Sequence, residues 1–287
     1  MAASGDGPMN ATAVLADNGL PGLSRVPVWF NDPSNYWGPD GLVVRIREHL
    51  IFSAVIVLVA ILIALPVGLL IGHTGRGVVF VAGIANGLRA IPTLGFVLLL
   101  YVWLSPGITS KIKVPYLIPR GGLSVFIPVL IVLVLLAIPP ILTNTYAGVQ
   151  AVDPAARDAA KGMGMRGGQV VRKVEFPCAL PLILSGIRSA TLQVIATVTV
   201  AAYLPLLGGL GRYIADGAND LTDPQFGYPA MVAGGLVVAV LAVLVDGLLN
   251  LLQRVVVSPG ISGRFSTRQS QPGVTTHASM EAQLTNA

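Results

Sequence analysis

Asp158-Ala159-Ala160-Lys161-Gly162-Met163-Gly164, followed by Val174-Glu175-Phe176-Pro177, forms a polar island between two long apolar runs. Asp153-Pro154, just upstream, is a helix start: Asp caps free N–H groups and Pro suits the first helical position. Ala155 to Lys161 are good helix formers, and Gly162 and Gly164 end the run. A second short helix is expected over about 168–175, stopped by Pro177. Two short helices joined by glycines make a rigid knuckle. Arg157, Lys161, Arg166, Arg172 and Lys173 crowd it, and loops rich in Lys and Arg stay on the cytoplasmic side. Gly162, Gly164 and Gly167 also spell G-x-G-x-x-G. A dinucleotide site would need a buried strand before it and an acidic residue about 20 positions on, and the sequence supplies neither. No G-x4-G-K-[ST] occurs, so the chain has no P-loop for ATP.

Outward from the island the chain is apolar. Of 287 residues, 54% are hydrophobic and 11% charged, against roughly 25% charged in a soluble domain. Mean hydropathy is +0.76. The 18 Lys and Arg against 13 Asp and Glu leave +5, mostly between or outside the apolar runs. That placement suits lipid headgroups better than a nucleic-acid face. A spanning helix needs about 20 mostly apolar residues. Five segments meet that length: about 49–71, within 78–104, and about 123–148, 180–207 and 228–257. Alternation then puts the N-terminus outside, and the 73–77 loop and C-terminus inside with the island. The 105–122 loop, with Tyr116, falls outside despite Lys111, Lys113 and Arg120. Residues 1–40 lack the basic-then-apolar plan of a signal peptide and are expected to form an irregular arm. Residues 41–257 form the membrane domain, with the knuckle in a loop over about 149–179. Residues 258–287, rich in Ser, Thr and Gln, are an expected disordered tail. The lone Cys178 forms no intrachain disulfide and has no expected role.

Read as D-A-A, three residues, G, nine residues, V-x-F-P, the island resembles the EAA loop of bacterial ABC-importer permeases. That pattern is E-A-A-x3-G-x9-I-x-L-P; Asp158 stands for its Glu, Val174 for its Ile and Phe176 for its Leu. Four further stretches are similar to the osmoprotectant branch, the betaine, carnitine, choline and proline permeases. Arg89–Leu94 matches R-x-I-P-[ST]-L and Ala137–Gly148 matches A-[IL]-P-P-I-L-x-N-T-Y-x-G. Val152–Ala155 matches V-D-P-A, and Gly208–Ile214 matches G-G-L-G-R-[FY]-I. The resemblance covers about 42–257. One departure is Tyr203-Leu204-Pro205-Leu206-Leu207, where the branch more often has small, glycine-rich residues.

The resemblance implies an all-α membrane protein of about five transmembrane helices, in the MetI-like fold of type I ABC importers with cytoplasmic coupling helices. It implies a non-catalytic, multi-pass subunit of the bacterial cytoplasmic membrane that moves a solute such as glycine betaine, choline, carnitine or proline. An importer of an amino acid or other small amine would share the machine. A secondary transporter working without ATP would show inverted repeats or titratable relays, and neither is evident. ATP and Mg would belong to ABC ATPase subunits, with no cofactor on this chain. The other implied partners are a second permease subunit (the same or a homologous chain), an external substrate-binding protein and membrane lipid. The ATPase-coupling residues carried over are Asp158, Ala159, Ala160, Gly164, Met165, Arg166, Phe176 and Pro177. Small Ala159 and Ala160 would admit a partner closely, and Met165 would offer adaptable apolar contact.

Backbone breaks at membrane depth must be buried in protein or line a water-filled cavity. Three are expected. Arg89, Pro92 and Thr93 interrupt the second span. Pro139 and Pro140 interrupt the third, with Asn144 a turn later. Leu204-Pro205 and the glycines at 208–211 end the fourth. Ser189, Gln193 and Thr197 recur at i,i+4; they line a conduit or bond neighbouring helices. Tyr203 faces a cationic ligand or anchors at the interface. Gly68-x3-Gly72 and Gly83-x3-Gly87 predict close helix packing. Asp246, well inside the fifth span, needs a partner, and Arg89 and Arg188 are the candidates for an intramembrane ion pair. His49, His73 and His277 are scattered, so no metal site and no catalytic constellation is expected.

Overall fold

The computed structural model describes residues 23–108, 122–204, 207–221 and 227–257, without the side chains of 82, 85, 86 and 89. The expectations for residues 1–22 of the arm, Tyr116 and its basic loop, Pro205, the tail from 258 and the side chain of Arg89 fall outside that description. Among the described residues every regular element is a helix. In chain order they are α1 (Val26–Asn31), α2 (Leu42–Thr74), α3 (Val78–Ala90), α4 (Thr93–Leu104), α5 (Leu123–Gln150), α6 (Pro154–Gly162), α7 (Gly167–Val170), α8 (Phe176–Ala201), α9 (Gly211–Asn219) and α10 (Gly227–Val256). Between α7 and α8, Val171–Glu175 form a widened π-turn.

Among the described residues four helices are long and apolar enough to cross a membrane: α2, α5, α10 and the continuous helix Gly167–Ala201. The second expected span, within 78–104, is split in two. Ile91 is extended before Pro92, as a residue preceding proline prefers. That leaves α3 with 13 residues and α4 with 12. At about 1.5 Å per residue, each reaches about two-thirds of a hydrocarbon core roughly 30 Å thick.

The third span departs from expectation: α5 runs unbroken through Pro128, Pro139 and Pro140. A proline removes one ladder bond, but in a bundle neighbouring helices and hydroxyl side chains compensate. Here Pro139 and Pro140 are buried against the neighbouring helices, which hold the span straight. Thr143 Oγ1 and Asn144 Nδ2 bond back to the proline carbonyls at 2.7 and 2.8 Å, beside the ladder rather than in place of the donors lost. The knuckle's second helix departs too. It does not stop at Pro177, because the π-turn feeds straight into α8. Pro177 falls at the start of α8, where its missing N–H costs little. A third difference lies in the stretch expected to be an irregular arm, where residues 23–35 coil into α1 and two single 3-10 turns. Trp29 of α1 stacks edge-on against Tyr213 at 5.3 Å. With Leu42, Leu210, Ala230, Ala233 and Leu241 they form a small core at one end of the bundle.

The main core lies between α2, α5 and α8. Of the apolar stretches, that of α5 is 72% buried and that of α10 only 17%, so α5 is the axis and α10 the outer wall. Ala60, Ala64, Gly68 and Gly72 recur every fourth residue on the buried face of α2. A Cβ on Gly68 would meet Thr145 Cβ at 2.7 Å, and one on Gly72 would meet Val149 Cβ at 2.6 Å. The small stripe therefore sets how closely α2 seats on α5, as expected for Gly68-x3-Gly72. The same expectation fails for Gly83 and Gly87. Nothing lies within 4 Å of a Cβ at either, since α3 packs on α5 with these glycines turned away.

Candidate functional site

The knuckle starts as its residues dictate. Asp153 Oδ1 accepts from the N–H of Ala155 at 2.9 Å, with Pro154 behind the cap. Gly164 has φ +82°, a left-handed turn that glycine adopts without strain. Arg166 opens α7, its N–H donating to Gln169 Oε1 at 2.8 Å. Asp158, Ala159, Lys161, Met163, Gly164 and Arg166 are exposed, and Met165 is half-buried. Together they form a continuous polar and small-residue face. Ala160 is different: it is 1% exposed, so its small side chain serves packing inside this chain, and the expectation that it admits a partner is corrected. The reason is helical phase, because Ala160 and Arg157 share the face that α6 turns toward the π-turn. Phe176 and Pro177 are half-buried, and Phe176 packs against the cluster of Val149, Ala179 and Ile183.

Beneath the knuckle lies a charged junction that sequence reasoning missed. Glu175, in the π-turn, is 1% exposed. Its Oε1 stands 3.0 Å from Arg157 Nε of α6, and its Oε2 stands 2.8 Å from His73 Nδ1 at the end of α2. The Arg157 guanidinium also donates to the carbonyl of Val149, near the end of α5. One carboxylate thus ties together four elements. In the motif it occupies the unspecified position of V-x-F-P. The one signal available was an acidic side chain at the root of an apolar helix.

The pathway candidates distribute along two faces. Asn144 lies between helices, its Cβ where a Cβ on Gly186 of α8 would intrude at 2.7 Å. Pro92 is exposed at the α3–α4 break. Thr93 turns toward α5, beside an apolar void of about 10 Å³ with room for one water at most. On α8, Leu182, Ser185, Ser189, Ala196 and Val200 are exposed and Gln193 is half-buried, a stripe that none of the described residues covers. Tyr203 is 46% exposed beyond its end. Thr197 is half-buried and donates to the carbonyl of Gln193 at 2.7 Å. Arg188 makes a two-pronged ion pair with Asp246 of α10, Nη2 to Oδ2 at 2.5 Å. Gln253 Nε2 adds a second tie to α8, donating to the carbonyl of Pro181 at 3.2 Å.

At the opposite end of the bundle, Arg45 pairs with Asp40 at 2.5 Å and with Glu48 at 3.3 Å. Glu48 Oε2 accepts the N–H of Gly209 at 2.9 Å. His49 is fully buried, with Nε2 3.1 Å from the carbonyl of Ile195. Tyr213 donates its hydroxyl to the carbonyl of Asp40 at 2.7 Å, and burial pushes its phenol up to about 12, so it remains a donor. A cleft of about 490 Å³ opens here, walled by Trp37, Asp40, Arg45, Arg212 and Asp216. Arg212 pairs with Asp216, so charges of both signs meet within the cleft. Among the described residues no group of three His, Cys, Asp or Glu could hold a metal ion.

A helical bundle with an apolar girth and an exposed knuckle has the build of a membrane transport subunit. Residues 60–257 match the family described as binding-protein-dependent transport system inner membrane component, and the chain belongs to that family. It is a multi-pass transmembrane permease subunit of an ABC importer. The glycine betaine/carnitine/choline transport system permease protein OpuCB of Bacillus subtilis is 31% identical over 222 residues, covering 77% of this chain and 91% of that one. The carnitine transport permease protein OpuCD of Listeria monocytogenes is 33% identical, over 72% of this chain and 82% of its own length. The osmoprotectant import permease protein OsmW of Salmonella typhimurium is 31% identical, over 75% and 91%. Among solved structures, the MetNI methionine ABC transporter in an inward-facing conformation matches with a TM-score of 0.57 and 21% identity, over 76% of this chain and 96% of that chain. That likeness establishes the MetI-like fold.

Proposed function

We propose that this chain passes a compatible solute, such as glycine betaine, choline, carnitine or proline, through the inner membrane. The observation that carries the cargo is the set of relatives at 31–33% identity, whose names specify betaine, carnitine, choline or osmoprotectant transport. A second permease subunit covers the open stripe of α8 (Ser185, Ser189, Gln193, Ala196), and the ligand crosses between the two. An external binding protein delivers the ligand at the Trp37–Tyr213 end. Separate ATPase subunits, holding ATP and Mg, dock on Asp158, Ala159, Gly164 and Arg166. A permease cavity must release what it admits, so a few polar groups suffice, and selectivity lies mainly in the binding protein.

Radiolabelled uptake in a deletion strain, at high and low osmolarity, tests the cargo. Deletion should abolish uptake of at least one of the four solutes, and this chain should restore it. The variant Gln193→Leu should change the rate more than the preference among solutes. No loss of uptake for any of the four, in a strain without a redundant importer, would sink the cargo assignment.

A further inference from the structure

We propose that Glu175 is the positioning residue of the coupling loop, a clamp that makes α6 move with the membrane bundle. The proposal rests on the exposed face of α6 and Gly164 being the surface that the ATPase pushes. A nine-residue helix is marginal on its own in water, and α6 is exposed nearly all round except at Ala160 and Arg157. A push on such a helix deforms it unless something fixes it to the load. Glu175 supplies the fixing. One carboxylate oxygen forms an ion pair with Arg157 of α6, 3.0 Å from Nε but without an aligned hydrogen bond, and the other is hydrogen-bonded to His73 of α2 at 2.8 Å. Arg157 at the same time reaches the carbonyl of Val149, near the end of α5.

Two features argue that the junction places α6 rather than merely filling space. A carboxylate that is 1% exposed is a costly way to stabilise a fold, because the desolvation of buried charges often exceeds their attraction. An apolar residue would pack there at less cost. What the pair adds is a fixed geometry between elements distant in sequence. Glu175 also lies in the π-turn. Such a turn inserts one residue, which shifts the helical phase by about 100° and often marks a functional position. That phase aims Glu175 at both partners while α8 continues past Pro177.

The test uses the full chain with Cys178→Ser as background and a nitroxide on Ala156→Cys, an exposed position of α6 outside the docking set. In the purified permease without ATPase, Glu175→Gln should raise the mobility of the label. In the assembled importer in liposomes, without the label, ligand moved per ATP hydrolysed should fall about twofold to thirtyfold, the range expected when a coupling network is weakened. Membrane insertion and ATPase binding should persist. Arg157→Gln keeps the His73 contact and serves as the second variant; it should loosen the label and lower the yield in the same way. Unchanged label mobility, or unchanged transport per ATP, in both variants overturns the clamp. Ala159→Trp, on the exposed face, separates the underlying assumption: normal coupling in that variant defeats the docking surface itself and the clamp with it.

Discussion

Gly208 has φ +87°, and a Cβ there would lie 2.6 Å from Glu48 Oε2. Its neighbour Gly209, φ +76°, gives that same carboxylate its N–H. The glycines of the G-G-L-G run therefore let the chain turn directly over an acidic side chain of α2. Gly208→Ala should cost roughly 1–3 kcal/mol, read as a lower midpoint in thermal unfolding of the detergent-solubilised protein; an unshifted midpoint would count against the strain. Ala159 and Ala160 divide just as sharply. Ala159→Trp should fold normally and lose co-purification with the ATPase. Ala160→Trp should already fail at folding, because a side chain 1% exposed has no room to grow. Equal yields of the two variants would contradict the assigned helical phase. Tyr213 gives a pH prediction. Its phenol is held up to about 12 by burial, against 10.0 unperturbed. A raised acid pKa contributes stability that is full below about pH 10 and lost as pH climbs through 12. Tyr213→Phe should flatten that alkaline limb in a pH series of unfolding midpoints, and an unchanged limb would reject it. At this scale the motif glycines and the small residues of the knuckle were legible because backbone conformation and volume are local properties. Glu175 was not, since its His73 partner lies 102 residues away in the chain and nothing local marks the pairing.

Among the elements, α10 leaves most of its apolar face exposed and is held by packing on α9, the small core around Trp29 and Tyr213, and its ties to α8. The Arg188–Asp246 pair is the charged tie to α8. Removing one partner leaves a charge stranded in an apolar setting, whereas removing both does not. Arg188→Met or Asp246→Leu alone should therefore lower the folded yield more than the double variant, measured by monodispersity after extraction. A double variant worse than either single would show that the pair acts by more than mutual neutralisation. The need for a partner was legible from the rule that intramembrane charges pair. Its identity was not, because the two residues are 58 apart in sequence and two arginines were available. Helix boundaries show the same division. Ile91-Pro92 broke its span as local rules require, while Pro139-Pro140 and Pro177 did not break theirs. Tertiary packing and a π-turn absorbed the missing donors there, and neither leaves a trace in a window of a few residues.

The whole molecule has two distinct ends, joined by α2. At one lie Trp37, Asp40 and Tyr213; at the other lie His73, Glu175 and the knuckle. The basic residues of the knuckle predict that this second end faces the cytoplasm. The same topology predicts that the 105–122 loop, with Lys111, Lys113 and Arg120, lies outside. Two positions decide it. Trp37 is 72% exposed at the first end, and Asp158 is exposed on α6 at the second. In intact cells an impermeant maleimide should label Trp37→Cys and leave Asp158→Cys silent, each on a Cys178→Ser background. The native chain supplies an internal control, since Cys178 is exposed at the root of α8 on the knuckle side. It should be silent in intact cells and become labelled once the membrane is opened. Labelling of Asp158→Cys from outside would invert the molecule and place the knuckle where no ATP-driven partner could reach it. The fold would survive that result and the coupling surface would not, because helix packing is indifferent to which side is which, whereas an ATPase is not.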